Sequence, residues 1–239
     1  MGSSQTFVLV HGAWHGGWCW RRVADALRAA GHTVFAPTLT GFGDRVHLVR
    51  PGLTIDDLAT DVSNLFAAEE LREVILVGHS FGGAPISVVA DRTPGPIKAL
   101  VYLDVILLKN GDSAFSKLDP AIVAQRVKLA EETSGGLTIP PPAPEVFGVS
   151  NPDDVEWLRR RLTPLPLSCY QTPIRLEHPL GNGLSKIYIA CTGPAYHSIV
   201  PSHEWAKSQS DWRYLELKTG HDAMVTSPNE LAAILVACA

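Results

Sequence analysis

Six short apolar runs, at residues 7–10, 33–36, 74–77, 99–103, 187–190 and 214–217, constrain this chain more than any other feature of its sequence. Each is of strand length, and none alternates polar with apolar residues, so each reads as a strand buried on both faces. Helical patterns separate most of them, at 18–30, 55–70, 81–91, 202–208 and 228–237. Strands that alternate with helices run parallel, because a connection between parallel neighbours has to cross the sheet and the helix is that crossover. The expectation is an α/β fold: a mostly parallel six-stranded sheet flanked by helices.

One interval breaks the rhythm. About 80 residues separate the fourth run from the fifth, far more than a crossover needs. They hold helical patterns near 120–133 and at 152–161, with a proline-rich stretch at 138–144 that reads as a stiff connector. This predicts a helical cap at 105–185, inserted into a core made of 1–104 and 186–239. A chain of 239 residues has the length for one such domain.

Composition then removes several classes of partner. Lys and Arg number 20 against 24 Asp and Glu, a net charge of −4, and no basic stretch could neutralise a phosphate backbone, so no nucleic acid is expected. The four cysteines, Cys19, Cys169, Cys191 and Cys238, form no CxxC pair. Neither a zinc knuckle nor a disulfide framework is indicated, and a reducing, cytoplasmic location is expected. The first apolar run is too short for a signal peptide or a membrane span, so no membrane association is expected.

The chemistry-bearing residues cluster at the ends of the apolar runs. Gly78-His79-Ser80-Phe81-Gly82 matches G-x-S-x-G, with a strand pattern leading in and a helical pattern leading out. That is the setting of a nucleophile elbow, where glycines let the chain turn sharply and leave the serine hydroxyl at a helix N-terminus. A serine needs a base, and His221 follows the last run within Lys218-Thr219-Gly220-His221-Asp222. The first run leads into His11-Gly12-Ala13-Trp14-His15-Gly16-Gly17-Trp18, whose Ala13 N–H, with that of Phe81, is the candidate oxyanion donor pair. Phosphate-binding readings fail, since no Lys follows Gly17 and Gly41-Phe42-Gly43 lacks a third glycine. His11 and His15 stand four apart in a glycine-rich loop without a third ligand, so no metal is expected.

With the first run and its loop, the Ser80 elbow, Val101-Tyr102-Leu103-Asp104 and Gly220-His221-Asp222, the chain resembles the esterase and hydroxynitrile lyase branch of the α/β-hydrolase superfamily. That branch includes plant methyl-ester esterases and bacterial small-molecule hydrolases. The resemblance spans nearly the whole chain and is weakest in the cap. It implies a Ser, Asp, His triad, no cofactor, and a buried, mostly apolar pocket under the cap. The aromatic and flexible side chains chosen to line that pocket are Trp14, His15, Phe42, Trp157, Trp205 and Met224.

The acid departs from the family pattern. Plant members carry it just after the strand at 187–190, where this chain reads Cys191-Thr-Gly-Pro-Ala-Tyr-His-Ser, with no carboxylate before Glu204. Asp104, one strand earlier, is the leading candidate; Glu204 and a Ser–His dyad are the alternatives. Lyases of the branch carry a Lys after the catalytic His and a Thr at the position of Gly12, and here Asp222 and Gly12 stand instead. Hydrolysis of an ester, carbamate or amide is therefore expected over cyanohydrin cleavage, with a non-catalytic receptor as the third reading. The expected partner is a small-molecule substrate, and the expected state a monomer or homodimer.

Overall fold

The computed structural model describes residues 4–238. Eight strands form in chain order: β1 (Thr6–Val10), β2 (Thr33–Phe35), β3 (Val74–His79), β4 (Ile97–Leu103), β5 (Thr138–Ile139), β6 (Leu165–Pro166), β7 (Ser185–Cys191) and β8 (Trp212–Leu217). Six of them make one sheet in the order β2-β1-β3-β4-β7-β8, every neighbouring pair parallel. These are the six apolar runs, each extended by one to three residues or trimmed by one. All six residues of β3 are buried, which is why the run carries no polar alternation: both of its faces are covered by helices.

The covering helices are α1 (Arg21–Ala29), α2 (Ile55–Ala68), α3 (Gly83–Arg92), α4 (Pro120–Ser134), α5 (Pro152–Arg159), α6 (Leu167–Gln171), α7 (Val200–Ser208), α8 (Ala223–Thr226) and α9 (Pro228–Ala237). Their ends follow local rules. Thr54 and Asp57 form a capping box at the start of α2. Asp119 caps α4, with Pro120 in its first turn and Gly135 closing it at φ +62°. α1 buries Val23, Ala24 and Leu27 along one stripe, the i, i+1, i+4 spacing of a helix lying on a sheet.

Between β4 and β7 the chain leaves the sheet. It carries α4, α5, α6 and the β5–β6 pair, which is antiparallel and joins Ile139 to Leu165. The proline-rich stretch thus begins as half of this small ribbon. Trp14, from the loop after β1, donates its indole N–H to the Ile139 carbonyl at 3.1 Å. This segment therefore lies against the carboxyl ends of β1 and β3, where a parallel sheet opens its crevice.

Candidate active site

Ser80 follows β3 at φ +53°, a left-handed conformation that costs a non-glycine residue about 1–3 kcal/mol. Its neighbours make the bend feasible. A Cβ on Gly78 would stand 2.7 Å from the Gly82 carbonyl oxygen, and one on Gly82 would stand 2.5 Å from that of His11. The chain turns that tightly only where both side chains are missing.

The loop after β8 brings His221 onto this serine. The Ser80 hydroxyl donates to His221 Nε2 at 2.9 Å, and His221 Nδ1–H donates to Asp104 Oδ2 at 2.6 Å. The carboxylate thereby fixes the tautomer, leaving the lone pair of Nε2 toward Ser80. Asp104 is fully buried at the end of β4, also at positive φ, +48°. Its second oxygen accepts from His203 Nε2–H at 2.6 Å and from the Cys191 N–H at 2.9 Å. Burial by itself would raise this carboxyl; the hydrogen bonds from His203 and His221, the adjacent His221 ring and the Cys191 amide bring it down to about 2.

Of the acids named from sequence, then, Asp104 meets the ring. Glu204 is exposed on α7, while its neighbour His203 faces inward. No motif in the sequence marks His203, whose part depends on the rotation of α7 against the end of β4.

A second buried network stands behind the first. His15 Nδ1 lies 2.7 Å from the Ala13 carbonyl and Nε2 lies 3.0 Å from Asp222 Oδ2. Both neighbours accept, so the ring carries both protons and forms an imidazolium–carboxylate pair, 1% and 0% exposed. Burial opposes the charge on His15, yet the Asp222 carboxylate raises its pKa above the ordinary 6.5. Burial likewise opposes ionisation of Asp222, and His15 lowers its pKa below the usual 3.8. His79 donates from Nε2 to the His221 carbonyl at 3.0 Å. Burial and the adjacent His221 ring lower its pKa to about 3. His11 donates from Nδ1 to the Gly12 carbonyl and accepts from the Leu39 N–H at Nε2, which spends both nitrogens.

A cavity of about 10 Å³ lies beside Ser80 and His221, and Ala13, the candidate oxyanion donor, lines it together with Trp14 and His15. Phe81 follows Ser80 in the first turn toward α3, its ring edge-on to Tyr170 at 5.1 Å. The remaining residues chosen for the pocket are elsewhere. Phe42 is buried against the rings of His11 and Phe81, and Met224 is fully buried in the core. Trp157 packs edge-on to Trp18 at 5.0 Å, and Trp205 edge-on to Trp212 at 5.5 Å. Phe42 and Met224 satisfy their apolar surface against protein, whereas Trp157 and Trp205 are half-buried and Trp205 lines two grooves away from Ser80; residue type alone does not distinguish these places from the cavity beside the serine.

Among the side chains missed from sequence are Arg126, Phe147, Tyr170 and Tyr196, which line the same cavity. The first three come from the segment between β4 and β7. The Tyr196 ring stacks on His221 at 4.6 Å with an interplanar angle of 22°.

A parallel sheet with a strained serine after β3, a carboxylate after β4 and a histidine after β8, all hydrogen-bonded in series, is a hydrolase of α/β-hydrolase architecture. The comparisons agree. The chain belongs to the alpha/beta hydrolase family, whose profile matches residues 7–234. A carbendazim hydrolyzing esterase from Nocardioides sp. (strain SG-4G) is 42% identical, over 97% of this chain and 98% of its own. An alpha-hydroxynitrile lyase of Arabidopsis thaliana is 41% identical over 102 residues, 42% of this chain and 40% of that protein. Among solved structures, an extracellular alpha/beta-hydrolase from a Paenibacillus species superposes with a TM-score of 0.83 at 26% identity, covering 98% of both chains.

Proposed function

We propose that this hydrolase cleaves a small-molecule ester or carbamate by acyl transfer. The observation that carries the reading is the series Asp104–His221–Ser80, with hydrogen bonds of 2.6 and 2.9 Å. Ser80 attacks the carbonyl carbon while His221 Nε2 takes its proton, and Asp104 stabilises the imidazolium that results. The N–H groups of Ala13 and Phe81 receive the oxyanion. His221 then protonates the leaving group, and in the second half it activates the water that releases the acyl group. No step calls for a metal or organic cofactor. Residues 105–185 act as the cap that shelters this chemistry from bulk water, and the chain works as a monomer or homodimer.

A carbamate is included because a relative alike over almost its full length is named for hydrolysing carbendazim. The lyase reading has less support. Asp222 does not line the cavity; it faces His15, so its charge is not the argument against cyanide release. Gly12 is the stronger one. A Cβ there would stand 2.9 Å from both Ser80 Cβ and His79 Nδ1, leaving no room for a threonine. Among the described residues no helix is long and apolar enough to cross a membrane. The four cysteines are buried free thiols, which suits the reducing cytoplasm.

The test is a panel of p-nitrophenyl esters of increasing acyl length beside methyl carbamates, assayed with wild type and Ser80→Ala. Turnover is expected to fall by about 10³-fold or more in the variant with folding intact. A folded Ser80→Ala protein retaining a tenth of wild-type activity would overturn the reading.

A further inference from the structure

The cavity beside Ser80, at about 10 Å³, holds roughly one water molecule. Most of any ester must therefore lie outside it. An adjoining groove of about 280 Å³ shares Trp14, Arg126 and Tyr196 with the cavity, so these three form the wall between the two spaces. The groove is otherwise largely apolar, lined by Ile122, Leu129, the prolines at 140–142 and Val146. Leu129 and Val146 stand 37% and 49% exposed.

Arg126 is the one permanently charged side chain lining either space, and no Asp or Glu lines them. Its guanidinium lies over the rings of both Trp14 and Tyr170, 5.4 Å from each centroid. The Tyr170 hydroxyl also draws one of its N–H groups; a guanidinium has five N–H donors, so the others can still donate to a bound anion. Among the described residues it makes no ion pair. An arginine is thus held by aromatic rings, without a carboxylate partner, at the junction of the reacting centre and an apolar groove. Its planar fork matches a carboxylate in two parallel hydrogen bonds.

We propose that Arg126 is a specificity-determining residue, and that the substrates are half-esters: small esters whose acyl portion ends in a free carboxylate. The carboxylate binds the edge of the guanidinium, and the methylenes between it and the scissile carbonyl lie against the apolar side chains. This rests on Ser80 being the nucleophile of a hydrolase. For a methyl half-ester, the C–O bond to methoxide breaks and the methoxide oxygen takes a proton. Water supplies the hydroxyl to the acyl carbon, and the products are a dicarboxylate and methanol.

Methanol release from monomethyl glutarate and monomethyl adipate, against methyl valerate and methyl hexanoate, tests this. Wild type is expected to favour the better half-ester over its neutral counterpart by about tenfold or more in kcat/KM, mainly through KM, as a charge-assisted contact warrants. Arg126→Gln should bring that ratio close to one, and Arg126→Lys, a point charge without the fork, should leave it between. A wild-type ratio near one, or a ratio unchanged by Arg126→Gln, overturns the proposal. The hydrolase reading fails separately, if neither ester class is turned over in a Ser80-dependent way. Calorimetry with glutarate then still decides: binding to wild type that is lost in Arg126→Gln supports the contact, and equal or absent binding refutes it.

Discussion

The carboxylate of Asp104 stands 2.6 Å from Nδ1 of His221, across a sequence separation of 117 residues. The two meet because β4 and β8 end on the same edge of a parallel sheet, with β7 between them. Asp104→Asn keeps the shape and removes the charge, and such a change in a triad acid typically lowers kcat by about 10⁴-fold. A loss of that order with little change in KM is expected, and Glu204→Gln should do almost nothing. Kinetics of Asp104→Asn within fivefold of wild type would place the acid elsewhere.

His203 shares that carboxylate without touching Ser80. His203→Gln should lower kcat by less than Asp104→Asn does and leave KM unchanged, since it loosens the acid without removing it. A larger fall than that of Asp104→Asn would mean that the two histidines have been assigned the wrong way round.

Acid should weaken the fold through Asp104. Its folded pKa of about 2 lies below the ordinary 3.8, so its stabilising effect is present above about pH 4 and is lost as the pH falls toward 2. At roughly 1.4 kcal/mol per unit, that is about 2 kcal/mol. Thermal melts of wild type and Asp104→Asn should differ most near neutrality and converge toward pH 2. A difference that stays constant across that range would contradict the depressed pKa.

The His15–Asp222 pair should matter for stability more than any surface ion pair. Breaking a buried pair by removing one partner costs about 3–5 kcal/mol, because the other charge is left unpaired. Asp222→Asn should show this in urea unfolding, and the double variant with His15→Gln should recover part of it. The pair's contribution is lost as pH rises through the raised pKa of His15, and also as pH falls through the lowered pKa of Asp222. A loss below about 1 kcal/mol for Asp222→Asn would argue against an ionised pair.

Gly12→Ala should disturb the nucleophile directly, as the new methyl would press on Ser80 Cβ and His79 Nδ1, both 2.9 Å away. Displacements of about 1 Å at a reacting group can lower rates by about 10²-fold, and a fall of that size in kcat is expected. Gly12→Thr should not release cyanide from mandelonitrile, as measured against the buffer rate. Wild-type-like activity in Gly12→Ala would show that the Ser80 bend is softer than its packing indicates.

The six strands, their parallel direction and the turn at Ser80 were legible in the chain itself, because burial on both faces and a tight turn each demand particular residues in consecutive positions. His221 was legible for the same reason, lying just after the last apolar run. Asp104 was the leading candidate for the acid, with Glu204 and a Ser–His dyad as alternatives; in the fold, the Asp104 carboxylate is the one that reaches the ring. Tertiary structure alone decided the rest. His203, Arg126, Tyr170 and Tyr196 meet the site from elements whose rotation and path depend on packing, while Phe42 and Met224 are buried in the interior and Trp157 and Trp205 pack half-buried against other aromatic rings away from Ser80. Local sequence determines what a segment becomes, since backbone conformation and burial act over a few residues. Which side chains face one another across 100 residues is set by how the finished elements pack.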